Sequence, residues 1–556
     1  MSQPPILQQP SQALAWLQQH LAPGASLRED SRAVQPGDAF FALPSQSAQG
    51  RPLARPAQLA AHIEAASAAG AAALLVDAQA AQAWLAARPE QAQVLPALAL
   101  YPQLRQASGE IAALWHGQPS QALDVVAVTG TNGKTTLAWW LAHVLGLAGR
   151  ACGYVGTLGA GMPPQTLRET GLTSPGPLLL QAALHEMQRQ GASACAIEAS
   201  SIGLEQARLA GTHIRVAAFT NFTQDHLDYH GSMQAYGAAK RQLFDWPGLQ
   251  AAVLNAQDAY GQTLRQTLLE RPELALWDYA VQAGGLPAAT ARLCAQGLQF
   301  DGDSLRFEAL EYAPAAQRQE DAAPLRQAQV RAPVTGLYNV QNLMALLGVL
   351  RALGLELEQA AQLCSQVPAV PGRMQMLAQP GKPLVVVDYA HTSDALRAAL
   401  QALRPVAAQR GGRLSVLFGC GGDRDASKRP LMAMAAAQSA DALWITSDNP
   451  RSEDPLAIIA QIETGLTPAQ RAAATVLPER RAAIAAAVAA AAAQDVLLLA
   501  GKGHEAYQEI KGVRHPFSDL DEAQQALAGW GSAKNKQEEG NDENDKRGQA
   551  PSGVAA

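Results

Sequence analysis

The sequence predicts an α/β protein of three domains. A small N-terminal α/β domain precedes a central parallel-sheet domain with a P-loop, ATPase-like turn, and a C-terminal Rossmann-like α/β domain follows. Three observations carry this expectation. A chain of 556 residues is too long for one hydrophobic core. Short continuous apolar runs recur between helix-forming stretches, as in βα units of a parallel sheet. The pattern also changes character twice, near Leu123 and at the proline-bearing V-P-A-V-P-G-R of Val367 to Arg373, a hinge-like segment. The expected boundaries are 1–121, 122–366 and 367–531, with a tail at 532–556.

In the first domain the strands are D-A-F-F-A-L, A-A-L-L-V-D and L-P-A-L-A-L, set among Ala-rich helical runs. The second opens with D-V-V-A-V-T-G and the helix T-T-L-A-W-W-L-A-H-V-L-G-L. It continues through S-A-C-A-I-E-A-S, R-V-A-A-F-T-N-F and A-A-V-L-N. Residues 283–331 are Gln- and Ala-rich and read as irregular, and a helix is expected from Asn339 to Leu353. The third series is L-V-V-V-D-Y-A, R-L-S-V-L-F-G, A-L-W-I-T-S and D-V-L-L-L-A. The tail has no aromatic residue and few aliphatic ones, so disorder is expected there.

Composition narrows the function classes. Apolar residues make up 48% and charged residues 16%, with a net charge of −6, which offers no general attraction to nucleic acid or anionic membrane. Small anionic substrates would need local basic groups instead. Five scattered cysteines without metal-ligand spacing fit a reducing compartment. No signal peptide is evident, and the run A-A-I-A-A-A-V-A-A-A-A-A-Q is too short and too weakly hydrophobic to span a bilayer. A cytoplasmic location without stable membrane insertion is expected.

The strongest local signal is V-T-G-T-N-G-K-T-T, Val128 to Thr136, between a strand and a helix. Backbone N–H groups of such a loop face phosphates, where the helix dipole favours negative charge. Gly130, Thr131, Asn132 and Gly133 would form the cradle. Lys134 would hold the β/γ-phosphates, and Thr135 or Thr136 would reach Mg²⁺. Val128 stands where the general G-x-x-x-x-G-K-[ST] motif has its first glycine. A tight βα turn with a solvated lysine is the plainer alternative.

With this loop, a series of ordered motifs resembles the Mur ligase family, ATP-dependent amide-forming enzymes of peptidoglycan-precursor synthesis. They are E-A-S-S-I-G-L-E-Q-A-R (Glu198 to Arg208), T-N-F-T-Q-D-H-L-D-Y-H-G (Thr220 to Gly231), Y-G-A-A-K (Tyr236 to Lys240) and G-L-Y-N-V-Q-N (Gly336 to Asn342). P-G-R-M, D-Y-A-H-T, F-G-C-G-G-D-R-D and G-K-G-H-E follow between Pro371 and Glu505. The chemistry suits these residue types. A carboxylate is a poor electrophile, so ATP must first convert it to an acyl phosphate, which an amine then attacks. Both steps gather negative charge and call for cations and Mg²⁺ ligands.

The resemblance implies roles residue by residue. Glu198, at a strand end, is suited to hold Mg²⁺, the lesser alternative being a carboxylate near a helix start. His226 would be a metal- or phosphate-side residue. Lys240, which spacing alone would put on a solvated helix face, would be carbamylated to N6-carboxylysine and join Thr135, Glu198 and His226 around Mg²⁺. Asn339 and Asn342 would meet the nucleotide base, and Arg373 and Asp388 would close over ribose and phosphates, making domain closure part of the mechanism.

The acceptor implied is a UDP-muramoyl peptide. Glu29, Ser31, Gln46, Ser47 and Ala48 resemble uridine and pyrophosphate contacts. Thr173, Ser174, Ser200, Gln206 and Arg208 fall where the family holds the sugar-peptide. The sequence departs from relatives at Leu172, Ile202, Ala207, Gln375 and Ser393, where Asn, His, His, Glu and Pro are common.

The third domain would choose the amine. Asp448, Asn449, Pro450 and Arg451 resemble the signature of members that add meso-diaminopimelate to UDP-N-acetylmuramoyl-L-alanyl-D-glutamate. A guanidinium forms paired hydrogen bonds to a distal carboxylate that a lysine could not match. Arg424, Gly501 and Glu505 would surround the same zwitterion, Glu505 and Asp448 taking the ammonium. The alternatives are an L-lysine-adding ligase or a P-loop nucleotide-binding protein without ligase chemistry. A monomer is expected.

Overall fold

The computed structural model describes residues 4–43, 56–87, 96–282, 291–301, 304–317 and 322–530. Gln46, Ser47 and Ala48, the linker 283–290 and the expected disordered tail lie outside these. By contacts the chain divides into two compact units. The first comprises 1–334 and 338–368, and the second comprises 335–337 and 369–556.

The first unit holds two sheets. Its N-terminal sheet is fully parallel in the order β1 (Leu27–Arg28), β2 (Ala39–Ala42), β3 (Ala73–Asp77), β4 (Ala97–Tyr101). Strand alternation puts Phe41, Leu75 and Ala99 in one core, and Phe40, Leu74 and Val76 in another. Both faces are therefore covered by helices, as a parallel sheet requires.

The larger sheet is built around β5 (Asp124–Thr129), β6 (Cys152–Gly156), β7 (Gly159–Gly161), β8 (Ala194–Glu198), β9 (Val216–Phe219), β10 (Ala251–Asn255) and β11 (Ala275–Val281). It is extended by β12 (Leu293–Asp301), β13 (Ser304–Glu311) and β14 (Arg326–Ala332). The order is β14-β13-β12-β11-β10-β9-β5-β8-β6-β7. Strand β5 lies between β9 and β8, parallel to both, so three carboxyl ends converge at one edge. The helix Lys134–Leu147, which follows the glycine loop expected to cradle phosphates, comes directly after.

Residues 291–332 correct the expectation of an irregular stretch. There β12 runs parallel to β11, and β13 and β14 continue the sheet antiparallel. The alternation in S-L-R-F-E-A-L-E buries Leu305, Phe307 and Ala309 on one face and leaves Arg306 exposed and Glu308 half-buried on the other; Leu310 and Glu311 at the end are also buried. The half-exposed, Gln-bearing positions along much of these strands diluted the apolar signal. The helix expected at Asn339 starts two residues earlier, at Leu337–Ala352.

The second unit is a doubly wound sheet with β15 (Gln375–Leu377), β16 (Leu384–Asp388), β17 (Leu414–Phe418), β18 (Ala442–Ile445), β19 (Thr475–Val476) and β20 (Val496–Ala500). The order is β15-β16-β20-β17-β18-β19, with only β15 antiparallel. Val386, Val416 and Leu498 pack into one core and Val387, Leu417 and Leu499 into the opposite one. A hairpin of β21 (Tyr507–Ile510) and β22 (Val513–Pro516) follows. Loops after β16, β17, β18 and β20 thus emerge at the carboxyl edge, where ligands of such sheets bind.

Candidate active site

Two clusters of polar residues form, one in each unit. In the first, Gly130 and Gly133 both have positive φ, 143° and 85°. A Cβ on Gly130 would lie 2.0 Å from Thr220 Oγ1, and one on Gly133 would lie 2.6 Å from Asn342 Oδ1. Only glycine fits this close approach in that backbone region. The loop is pinned to the end of β9. Thr131 N donates to Asn221 O (2.8 Å), Asn132 N donates to Asn221 Oδ1 (2.9 Å) and Thr220 Oγ1 donates to Asn132 O (2.5 Å). Lys134 Nζ donates to the carbonyls of Gly130 (3.0 Å) and Thr131 (2.8 Å), folded over the loop.

Glu198 is fully buried at the end of β8. It accepts from Tyr154 OH (2.6 Å), Thr157 N (2.9 Å), Thr157 Oγ1 (3.1 Å) and Thr135 Oγ1 (2.9 Å). A helix-start carboxylate would face backbone N–H groups of its own helix, whereas this one faces the cradle helix and β6. Thr135 is therefore the threonine brought to Glu198. Among the described residues no three His, Cys, Asp or Glu side chains cluster as a metal site.

Lys240 is buried, with Nζ 2.8 Å from Gly130 O and 4.3 Å from the Tyr236 ring centroid. Burial first, then the nearby Lys134 charge, hold its pKa well below 10.5, against a weaker pull from Asp225. His226 stands in the left-handed region (φ 53°), its ring 3.6 Å from Asp225 and 6.1 Å, centroid to centroid, from Tyr236. Tyr236 OH reaches Thr131 Oγ1 at 3.2 Å, so the tyrosine joins His226 and Lys240 to the loop. Asn339 and Asn342 are both buried and mutually hydrogen-bonded at 3.3 Å.

The sugar-peptide candidates also converge. Ser174 Oγ donates to Glu198 O (2.8 Å) and lies 2.9 Å from Ser200 Oγ. Arg208 donates to Ser174 O and to Gln206 Oε1, and Gln206 donates to Tyr229 OH. Thr173 reaches Thr157 Oγ1 at 3.2 Å. Of the residues expected on the uridine and pyrophosphate side, Glu29 packs against Gly176, where a Cβ would meet its carboxylate at 1.6 Å. Burial raises its pKa, with Arg105 and Arg208 pulling the other way. Ser31 Oγ lies 3.3 Å from His62 Nδ1.

Thr157 and Tyr154 are contacts that lie outside the quoted motifs, and Asn221 and Tyr236 lie within them but carried no expected role. Thr157 directly follows a strand of the parallel sheet, and position at a carboxyl end was the signal available.

In the second unit, Asp388 accepts from Met374 N (2.7 Å) and Ala390 N (2.9 Å), and Arg373 lies over the Tyr389 ring at 4.2 Å. Asn449 Nδ2 donates to Glu505 Oε2 (2.7 Å), and the fully buried Lys502 donates to both Asn449 Oδ1 (3.1 Å) and Glu505 Oε2 (3.2 Å). Arg451 has φ 50°. Its NH1 donates to Gly422 O (2.7 Å) and its Nε lies 3.9 Å from Glu509. A Cβ on Gly421 would touch Arg451 NH1 (2.9 Å) and Arg424 Cγ (3.7 Å), so both guanidinium side chains flank one glycine. A Cβ on Gly501 would lie 2.4 Å from Asp448 Oδ2. The helix after this turn is capped by Asp454, not by Asp448, and starts at Pro455. The Asp-Asn-Pro-Arg turn therefore precedes the helix and does not start it.

Comparison with known proteins shows the family. Residues 128–350 match the Mur ligase middle domain, and residues 372–503 match the Mur ligase, glutamate ligase domain. A UDP-N-acetylmuramoyl-L-alanyl-D-glutamate–2,6-diaminopimelate ligase of Acidovorax sp. (strain JS42) is 48% identical over 526 residues, covering 93% of this chain and 97% of the relative. The chain belongs to the Mur ligase family. A second relative of this Mur ligase, from Ectopseudomonas mendocina (strain ymp) and bearing the same name, is 44% identical. It covers 92% of this chain and 97% of its own. A solved structure, also of a UDP-N-acetylmuramoyl-L-alanyl-D-glutamate–2,6-diaminopimelate ligase, has a TM-score of 0.59 and 34% identity. It covers 90% of this chain and 94% of that one. No described helix of this Mur ligase is long and apolar enough to cross a membrane.

Proposed function

We infer that the chain is an ATP-dependent ligase that joins meso-diaminopimelate to the D-glutamate of UDP-N-acetylmuramoyl-L-alanyl-D-glutamate. The observation that carries the choice of amine is Arg451, beside Arg424 at Gly421 and in one loop cluster with Asp448, Asn449 and Glu505. The two guanidinium groups suit carboxylates, and Asp448 and Glu505 suit an ammonium. L-Lysine has no distal carboxylate and would leave Arg451 without that partner, at a cost on the order of 2–5 kcal/mol if the guanidinium is desolvated.

Three functional regions follow from this reading. Residues 1–121 would hold the uridine nucleotide, 122–366 ATP and the sugar-peptide, and 367–531 the diamino acid. The glycine cradle, Lys134 and Thr135 fit a triphosphate, and Glu198 with Thr135 supplies the oxygen donors that Mg²⁺ prefers. When bound, Mg²⁺ would neutralise charge on the transferring phosphoryl group. Lys134 would hold the phosphates while the D-glutamate carboxylate attacks the γ-phosphorus, giving ADP and an acyl phosphate. The amine then attacks the acyl carbon, phosphate leaves, and the nitrogen loses a proton.

Burial of Lys240 supports N6-carboxylysine there. A neutral amine adds to CO₂ and releases a proton, and the depressed pKa of this lysine favours the neutral form. The reading places a monomeric enzyme in the cytoplasm, which gel filtration and cell fractionation test. The deciding experiment is incubation with the UDP-muramoyl dipeptide, Mg²⁺-ATP and meso-diaminopimelate, followed by mass spectrometry. A product heavier by one diaminopimelate residue is expected, and its absence would sink the reading.

A further inference from the structure

Beneath the loops assigned to the diamine lies an ion pair that no motif marks. Arg480 and Asp519 are both fully buried. Arg480 Nε and NH2 donate to the two Asp519 oxygens at 2.7 and 2.6 Å, a bidentate pair. The same guanidinium makes two further bonds, NH1 to Ser447 O (3.3 Å) and NH2 to Ala500 O (3.1 Å).

Those two carbonyls have particular places in the chain. Ser447 directly precedes Asp448, and Ala500, the last residue of β20, directly precedes Gly501. The strands β18 and β20 are not neighbours, since β17 lies between them. No ladder hydrogen bond joins the two strands directly, and beyond the strand ends the Arg480 side chain spans from one exit to the other. Arg480 starts the helix Arg480–Ala490, and Asp519 starts the helix Asp519–Ala528, so both ends of the bridge rest on rigid elements. Burial would lower the guanidinium's pKa, but Asp519, then Asp448 and Glu505, raise it. Its charge thus also faces the two carboxylates assigned to the substrate ammonium.

We propose that the Arg480–Asp519 pair is a positioning device for the diamino acid, stapling the Asp448 and Gly501 loops at the spacing the substrate needs. This rests on the assignment of those loops to the amine. Arg480 touches no substrate in this account and acts through the two carbonyls.

Removing one partner alone would leave a buried charge and risk the fold, so the test uses the double variant Arg480→Met with Asp519→Leu. Apolar replacement of a buried ion pair is often neutral for stability. The expected result is a folded protein with a near-native melting temperature. Its KM for meso-diaminopimelate should rise about tenfold or more, a size that sub-ångström to ångström misplacement of binding groups can produce. The KM for ATP should stay unchanged, and amide exchange at Asp448, Asn449, Gly501 and Lys502 should be faster. Arg480→Lys keeps a charge opposite Asp519 but cannot span both carbonyls and the carboxylate, so it carries the same expectation.

Wild-type KM and exchange in either folded variant would overturn the staple. Failure of the assignment looks different. The unaltered enzyme would then release no ADP with this amine, while the exchange comparison would still report on the staple.

Discussion

Lys240 carries a conflict between folding and chemistry. Its ammonium form would lose water on burial, and one carbonyl hydrogen bond does not replace it. The folded-state pKa lies below 10.5, so as pH falls from 10.5 the unfolded chain binds the proton first and stability drops until the folded pKa is reached. Lys240→Met should therefore melt at a higher temperature than the parent in CO₂-free buffer at pH 7, with the gain fading as pH approaches 10.5. The same variant should have no turnover, and bicarbonate should shift the melting temperature of the parent only. Equal melting temperatures at pH 7 would argue that the lysine is not buried. Glu198→Gln removes the carboxylate that four protein donors now share. Its kcat should fall by about 10² or more, in the range seen when charge stabilisation at a reacting group is lost. Spacing alone put Lys240 on a solvated face; only its place in a recognisable motif drew attention to it. Thr157 gave no motif signal, because its importance comes from β6 lying beside β8.

Elements tell a similar story about what local sequence can reveal. The unbroken apolar runs of β5, β8, β9, β16, β17, β18 and β20 were legible because sheets covered on both faces need apolar residues at every position. Strands β12 to β14 were not, because polar and half-exposed residues interrupt their short apolar runs. The glycine loop shows the reverse case, where two residues dictate a shape. Gly130→Ala would place a methyl group 2.0 Å from Thr220 Oγ1 at φ 143°. At about 1–3 kcal/mol of backbone strain, ATP affinity measured by calorimetry should weaken about tenfold or more while the far-ultraviolet circular dichroism is kept. Unchanged affinity would mean that this loop does not cradle the phosphates.

At the scale of the whole molecule, the ordered motifs made the family and the α/β class legible, and the sheets of the two units agree with that class. Side-chain networks that tie distant segments together, such as Ser174 with Ser200 and Arg480 with Ser447 and Ala500, could not be read from sequence. Their partners lie 26, 33 and 20 residues apart, and no local period connects them. The account's central claim is that Arg451 reads a second carboxylate on the amine. Arg451→Ala should accordingly raise the KM for meso-diaminopimelate far more than that for ATP, in steady-state assays of both substrates. The most direct measurement is kcat/KM for ADP release with UDP-N-acetylmuramoyl-L-alanyl-D-glutamate, comparing meso-diaminopimelate with L-lysine. The prediction is a preference for diaminopimelate of about 10² or more, as expected when a buried charged group loses its partner. Equal rates, or a preference for L-lysine, would contradict it.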